Sequence, residues 1–357
     1  MTRAHASPPR YHPLSEHYRR RFGCKVYKVG VSVAQTCPNR QGRGGMQVCA
    51  FCDEWGSAAY EDSAGLPLRE QIRRNGARIR ERYKADKLLV YFQAYTNTFE
   101  RVAQLRHWFE TALGEPDVAG IVIGTRPDCL PPRVLRLLAA LARETYVGVE
   151  LGVQTLDDAQ LAFLSRGHDT ARSLDALQRL RAYPELEVCA HLMFGLPGES
   201  DAQLARTARV LSALGVHGVK LHNLHVLRGT PLERLHRAGR FAPIGLEAYA
   251  QRVRVFLEHL APRVVVHRLN AVASRWEQVV APDWARHKLG PTQHILDLLA
   301  REDAWQGKRY EPGATPSAAD ELPPAVGAAR AVEAAPSEAP PPEAAALQAP
   351  LPESPWA

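Results

Sequence analysis

The sequence contains no apolar run near the length needed to cross a bilayer, and its first residues, MTRAHASPPRYHP, lack the apolar centre of a secretory signal. The expectation is a cytoplasmic chain with no membrane partner. Cysteine is scarce, six in 357 residues and unevenly spaced, which excludes a secreted disulfide framework. A second close cysteine pair is also missing, so a structural zinc site built from two such pairs has no basis. Between Gly313 and Ala357 large apolar residues nearly vanish, replaced by 10 prolines and 15 alanines without periodicity. Such a segment cannot bury enough surface to offset its ordering entropy, and an acidic disordered tail is expected at 313–357.

What is present is a basic body. The chain carries a formal charge of +7, and setting aside the tail leaves 44 basic and 32 acidic residues in 1–312. That surplus suits anionic partners such as RNA or phosphates. In PLREQIRRNGARIRERYK, Arg74, Arg78 and Arg82 recur every four residues, a spacing at which like charges weaken a helix by about 0.3 kcal/mol per pair. Either a phosphate backbone or acidic neighbours such as Glu70 and Glu81 would relieve that repulsion.

Short β-branched runs alternate with amphipathic segments. Strands are expected at 25–33, 87–95, 118–125, 145–153, 187–195 and 219–227, with helical patterns between them, and a further strand at 263–271. Six strand-then-helix units point to an α/β fold with a parallel sheet. Gln93, Arg126, Asp128, Glu150, Gln154, His191 and His222 fall at or near the carboxyl ends of these strands, which in a β/α barrel is the active-site face. The chain thus divides into a flexible basic arm (1–21), a core with a C-terminal extension (22–312) and the tail.

The stretch CPNRQGRGGMQVCAFCDEW follows the first strand and holds Cys37, Cys49 and Cys52. A thioredoxin-like exchange site would use Cys49 and Cys52 but leave Cys37 idle. A non-catalytic metal module would need a fourth ligand, for which His5, His12 or His17 are the candidates. Iron–sulfur clusters are held by thiolates, and three thiolates on a [4Fe–4S] cube leave one iron open. Cys24, Cys129 and Cys189 are dispersed and read as core residues, so no auxiliary cluster is expected.

CAFC looks like the terminal C-x-aromatic-C of the radical S-adenosylmethionine (SAM) superfamily, with Phe51 at the aromatic position. The eleven-residue first gap is longer than the superfamily's common spacing. Together with YFQAYTNTF, GTRPDCL, VELGVQT, SRGHD, HLMFGLPGE and VKLHNLHVLRGTPL, it makes the chain resemble the bacterial YhcC-like branch and, more distantly, the radical domain of the Elongator catalytic subunit.

The resemblance implies a partial (β/α)6 TIM-like barrel. It also implies a [4Fe–4S] cluster on Cys37, Cys49 and Cys52, with S-adenosyl-L-methionine chelated at the open iron and cleaved reductively to a 5′-deoxyadenosyl radical. Phe51 would lie beside the adenine, Gln93 and Tyr95 near the methionyl amine, and Glu150 and Gln154 at the ribose. The backbone from Leu192 to Gly195, with Glu199, would bracket adenine, and Lys220 and His222 would flank the substrate. An electron donor such as flavodoxin or ferredoxin is implied, as is tRNA modification at the wobble uridine; a small metabolite is the alternative substrate.

Overall fold

Apolar residues alternating along short runs bury one strand face against helices, and here that rule builds a curled sheet. The structure is a computed structural model and describes residues 9–56, 61–273 and 275–312. The strands are β1 (Val26–Val31), β2 (Lys87–Phe92), β3 (Val118–Thr125), β4 (Tyr146–Gln154), β5 (Glu187–Phe194), β6 (Gly218–Asn223), β7 (Val226–Leu227), β8 (Val265–Arg268) and β9 (Val279–Ala281). The helices are α1 (Leu14–Phe22), α2 (Leu68–Tyr83), α3 (Val102–Leu113), α4 (Pro132–Ala142), α5 (Asp158–Phe163), α6 (Thr170–Arg181), α7 (Asp201–Leu214), α8 (Pro231–Arg237), α9 (Leu246–His259) and α10 (Gly290–Arg301). Seven strands form one parallel sheet in the order β1-β2-β3-β4-β5-β6-β8. The partial barrel is therefore present, extended by a seventh strand at the free edge of β6. The expected strand 219–227 is broken: β6 ends at Asn223, and β7 leaves the sheet to pair antiparallel with β9.

The period of two sorts each strand. On β4, Val147, Val149, Leu151 and Val153 join the outer core against the helices, and the alternate residues Tyr146, Gly148, Glu150, Gly152 and Gln154 face inward. The helices at the carboxyl end start at defined caps. Asp157, Asp169, Ser200 and Thr230 each accept a hydrogen bond from the backbone N–H three residues on, which fixes where α5, α6, α7 and α8 begin.

Residues 10–22 are not a loose arm. Leu14, Tyr18 and Phe22 share one face of α1, and Tyr18 is 4 % exposed against Tyr146 at the amino end of the barrel. His12 accepts the Val266 N–H at 2.8 Å, and Gln306 binds both Arg10 and His12, so this segment lines the free edge of β8. The charged residues of LSEHYRRRF hide an i, i+4, i+8 apolar stripe that gains its stability from the barrel, since nine residues are too few for an independent helix. Residues 313–357, expected to be a disordered tail, lie outside the described residues.

Five of the six arginines of α2 are paired from other segments. Arg74 and Arg78 both reach Asp62, at 2.8 and 2.5 Å, Arg69 and Arg73 reach Glu115, and Arg80 reaches Asp117. For these five arginines the repulsion along the helix is relieved by carboxylates from outside it, while Arg82 lies over the Tyr83 ring at 5.4 Å.

Candidate active site

The cysteine loop leaves the carboxyl end of β1 and is closed by a buried asparagine. Asn39, 2 % exposed, donates from Nδ2 to Gln47 O at 2.6 Å and to Ser165 O at 2.8 Å. One side chain thereby ties the segment beside Cys37 to the segment before Cys49, which is how an eleven-residue gap returns on itself. Gly42, Gly44 and Gly45 take left-handed φ values between 59° and 78° within that arc, where glycine carries no Cβ penalty. A turn closed by Cys52 N–H to Cys49 O at 3.0 Å sets the other two thiols near each other.

Arg126 locks this loop to the barrel. Its guanidinium is 3 % exposed, holds Asp128 through two bonds at 2.9 and 3.0 Å, donates to Arg166 O at 2.7 Å and also bonds Asn39 Oδ1. Arg166 continues the chain of contacts: Nη1 lies 3.4 Å from Cys49 Sγ and Nη2 donates to Gly152 O at 3.0 Å. Arg40 plays the equivalent part for Cys52, with Nη2 at 3.6 Å from its sulfur. Asn39, Arg40 and Arg166 were missed in the sequence as site residues; their signal was their place within CPNR and SRGHD.

The thiols fit a thiolate-held cluster better than a single ion. Among the described residues no group of three ligand atoms within 4.8 Å of one another includes any of these sulfurs. Burial pushes the Cys52 thiol up to about 11 although Arg40 pulls it down. Among the described residues the Nε atoms of Arg40 and Arg166 are buried without a partner. His12 and His17 stand at the opposite end of the barrel, where His17 bonds Glu187 at the start of β5 at 2.9 Å, so they do not complete a four-ligand metal site. His5 lies outside the described residues.

The other expected cofactor residues separate into two groups. Phe51 packs against the buried cluster that includes Leu164, Met193 and Leu232, and the Arg166 guanidinium lies 5.9 Å from its ring. Gln154 ends β4 at φ 69°, two inward positions above Glu150. A Cβ on Gly152 would lie 2.8 Å from Gln154 Nε2 and 3.0 Å from Arg166 Nη2, so that glycine opens the space in which both side chains meet. Gln93 ends its run just beyond β2, its N–H on Val31 O at 3.4 Å. Tyr95 turns its hydroxyl to Glu54 O at 2.7 Å, and Arg40 lies over its ring at 5.3 Å.

Leu192 pairs with Gln154 across the sheet, but its side chain belongs to the outer core. The Gly195 N–H donates to Glu199 at 3.0 Å, and burial lifts the Glu199 carboxyl to about 7.

Glu150 lies deeper than its expected place at the strand end, because β4 runs four residues beyond it. Its carboxylate is 1 % exposed and accepts from Lys28, from Lys220 Nζ at 2.7 Å and from His191 Nε2 at 2.7 Å, with His267 Nδ1 at 3.4 Å. Burial favours its neutral form, yet Lys220, Lys28 and His191 together hold it well below the ordinary carboxylate range. Burial lowers Lys220 to about 8 and His191 to about 4, so the imidazole is neutral. Lys220 Nζ also donates to Tyr91 OH at 3.2 Å, and His191 and His222 face one another with ring centroids 5.3 Å apart.

Among known proteins, residues 31–211 match the radical SAM superfamily and residues 216–301 the radical SAM C-terminal domain. The chain is 38% identical over 292 residues to protein YhcC of Escherichia coli, covering 81% of this chain and 91% of that one. It is 37% identical over 128 residues to the tRNA uridine(34) acetyltransferase of Dehalococcoides mccartyi, 35% of this chain and 27% of that protein. The solved structure of Elp3 from Methanocaldococcus infernus superposes with a TM-score of 0.61 at 17% identity. The match covers 79% of this chain and 64% of the Elp3 chain, so somewhat less than two thirds of that structure has a counterpart here.

Proposed function

The chain belongs to the radical SAM superfamily, and from that premise we propose that Cys37, Cys49 and Cys52 hold a [4Fe–4S] cluster with which it cleaves S-adenosylmethionine to modify tRNA at the wobble uridine. The observation that carries the cluster assignment is the closed loop itself: three thiols brought round by Asn39, with Arg166 and Arg40 donating to two of the sulfurs. When bound, the cluster supplies the electron that breaks the sulfonium C–S bond of SAM. Every other task falls to the chain. Arg40 and Arg166 offset thiolate charge through charge-assisted hydrogen bonds. Phe51 offers an apolar face, and Gln93, Tyr95 and Gln154 present polar groups at the carboxyl ends of β2 and β4. The backbone from Leu192 to Gly195, braced by Glu199, forms the facing wall. Glu150 acts from below, fixing Lys220 and His191 in position, rather than at a ribose.

The tRNA reading is supported by the partial match to a tRNA uridine(34) acetyltransferase and by the basic body. No helix among the described residues is long and apolar enough to cross a membrane, in keeping with a cytoplasmic enzyme reduced by a flavodoxin or ferredoxin. Two measurements test the proposal. Anaerobically reconstituted protein should contain four irons and four sulfides per chain and form 5′-deoxyadenosine with dithionite and SAM, numbers expected of about one cluster. Alanine at Cys37, Cys49 or Cys52 should abolish both, and alanine at Cys24, Cys129 or Cys189 should not. Mass spectrometry of tRNA nucleosides from cells with and without the gene decides the substrate: an unchanged nucleoside profile would favour the small-metabolite reading.

A further inference from the structure

The barrel interior holds more positive than negative charge. Lys28, Lys220 and Arg268 all turn inward from β1, β6 and β8, and Glu150 is the carboxylate that faces them. Arg268 finds no acid among the described residues: Nε donates to Leu221 O at 3.2 Å and Nη2 lies 2.7 Å from the ring nitrogens of His222. The other carboxylates nearby are committed. Glu187 serves His17 and Tyr146, Asp53 pairs with Arg275, and Glu199 holds the Gly195 N–H beside Arg252. Buried cations without a counter-charge are strongly unfavourable, so a surplus of this kind points to an anion that completes it.

Lys220 and Arg268 are register partners on adjacent strands, so the two cations stand side by side on one wall of the barrel. The cations keep an opening that the acid does not: the Lys28, Lys220 and His191 side chains are 16%, 12% and 14% exposed against 1% for Glu150. His191 is held by Glu150 and His222 lies against Arg268, so both rings flank the cations without adding charge of their own.

We infer that the chamber between Lys220 and Arg268, with His191 and His222 at its side, binds the anionic group of the substrate, a carboxylate or a phosphate. The inference deepens the proposed function, resting on it only in taking the barrel interior as the substrate chamber. The two adjacent cations would draw in one oxyanion and fix the remainder of the molecule below the cysteine loop.

The test is calorimetric titration of malonate, inorganic phosphate and uncharged malonamide into the full, cluster-loaded chain at constant ionic strength. Malonate or phosphate should saturate one site per chain, malonamide should not bind, and Arg268→Gln and Lys220→Met should each weaken binding by about tenfold or more. Lys220→Arg, which keeps the charge, should retain it and so separates lost charge from lost folding. Preference for malonate identifies a small carboxylate; preference for phosphate, with competition by an anticodon stem-loop RNA, identifies the nucleotide. The inference is overturned if neither ion saturates the wild type, if both neutralising variants bind as the wild type does, or if SAM displaces the ion one for one, which would assign these cations to the cofactor. Formation of 5′-deoxyadenosine without ion binding would sink this inference alone, and ion binding without SAM cleavage would sink the proposed function instead.

Discussion

Glu150→Gln is the most informative single change, because it removes the negative charge that Lys28 and Lys220 share. Deleting one partner of a buried ion pair costs about 3–5 kcal/mol, since the remaining charge is left uncompensated. Here both lysines have partial substitutes: Lys28 Nζ lies 3.3 Å from His267 Nδ1, and Lys220 Nζ donates to Tyr91 OH. The lower part of that range is therefore expected, about 3 kcal/mol at pH 7, read from urea unfolding followed by circular dichroism with an unchanged slope. The pH dependence carries the mechanism. Burial already holds Lys220 at about 8 against the attraction of Glu150, so without the carboxylate its pKa falls further. A base whose folded pKa lies below its unfolded value is least unfavourable at high pH. The unfolded value is the same for both proteins, so the deficit of the variant should shrink as pH rises from about 6 towards about 8, where Lys220 of the wild type itself loses its proton, and level off above it. A loss below about 1 kcal/mol, accompanied by a large fall in SAM affinity, would refute this reasoning and return Glu150 to a ribose contact.

Two further outcomes are expected. His225 is buried and held down to about 4, chiefly by desolvation, with Nδ1 at 3.2 Å from Asn223 O. Its folded pKa lies below its unfolded value, so its stabilisation is complete above about pH 6.5 and is lost as pH falls towards 4, a swing of about 3 kcal/mol. Denaturation of His225→Gln should show a correspondingly flatter acid limb than the wild type, and parallel limbs would contradict the assignment. Gly152→Ala places a Cβ against the movable ends of Gln154 and Arg166 rather than against backbone alone. Stability should drop by about 1–3 kcal/mol, and 5′-deoxyadenosine formation should fall by about tenfold or more as Arg166 is displaced; full activity at normal stability would show that Arg166 need not sit where it does.

The sequence by itself determined the local rules of this protein. Alternation of branched residues fixed seven strands to within a few residues, because a sheet buried on its outer face tolerates no slip of one. The three cysteines were legible for a related reason: thiols serve few purposes in a chain with so little cysteine, and their spacing narrows those purposes further. Depth was not legible. Glu150, Gln154 and His191 all read as strand-end polar residues, yet only the length and register of β4 and β5 separate the mouth from the layer beneath it. Charge pairing also escaped the sequence, since the acids that neutralise the α2 arginines, Asp62, Glu115 and Asp117, come from segments up to 46 residues away. The tertiary structure likewise turned LSEHYRRRF from an apparent arm into a packed helix, because Leu14, Tyr18 and Phe22 gain enough burial only once Tyr146 and the neighbouring strands stand opposite them. Local pattern specifies which face of each element is buried; only the assembled barrel decides which charges meet inside it.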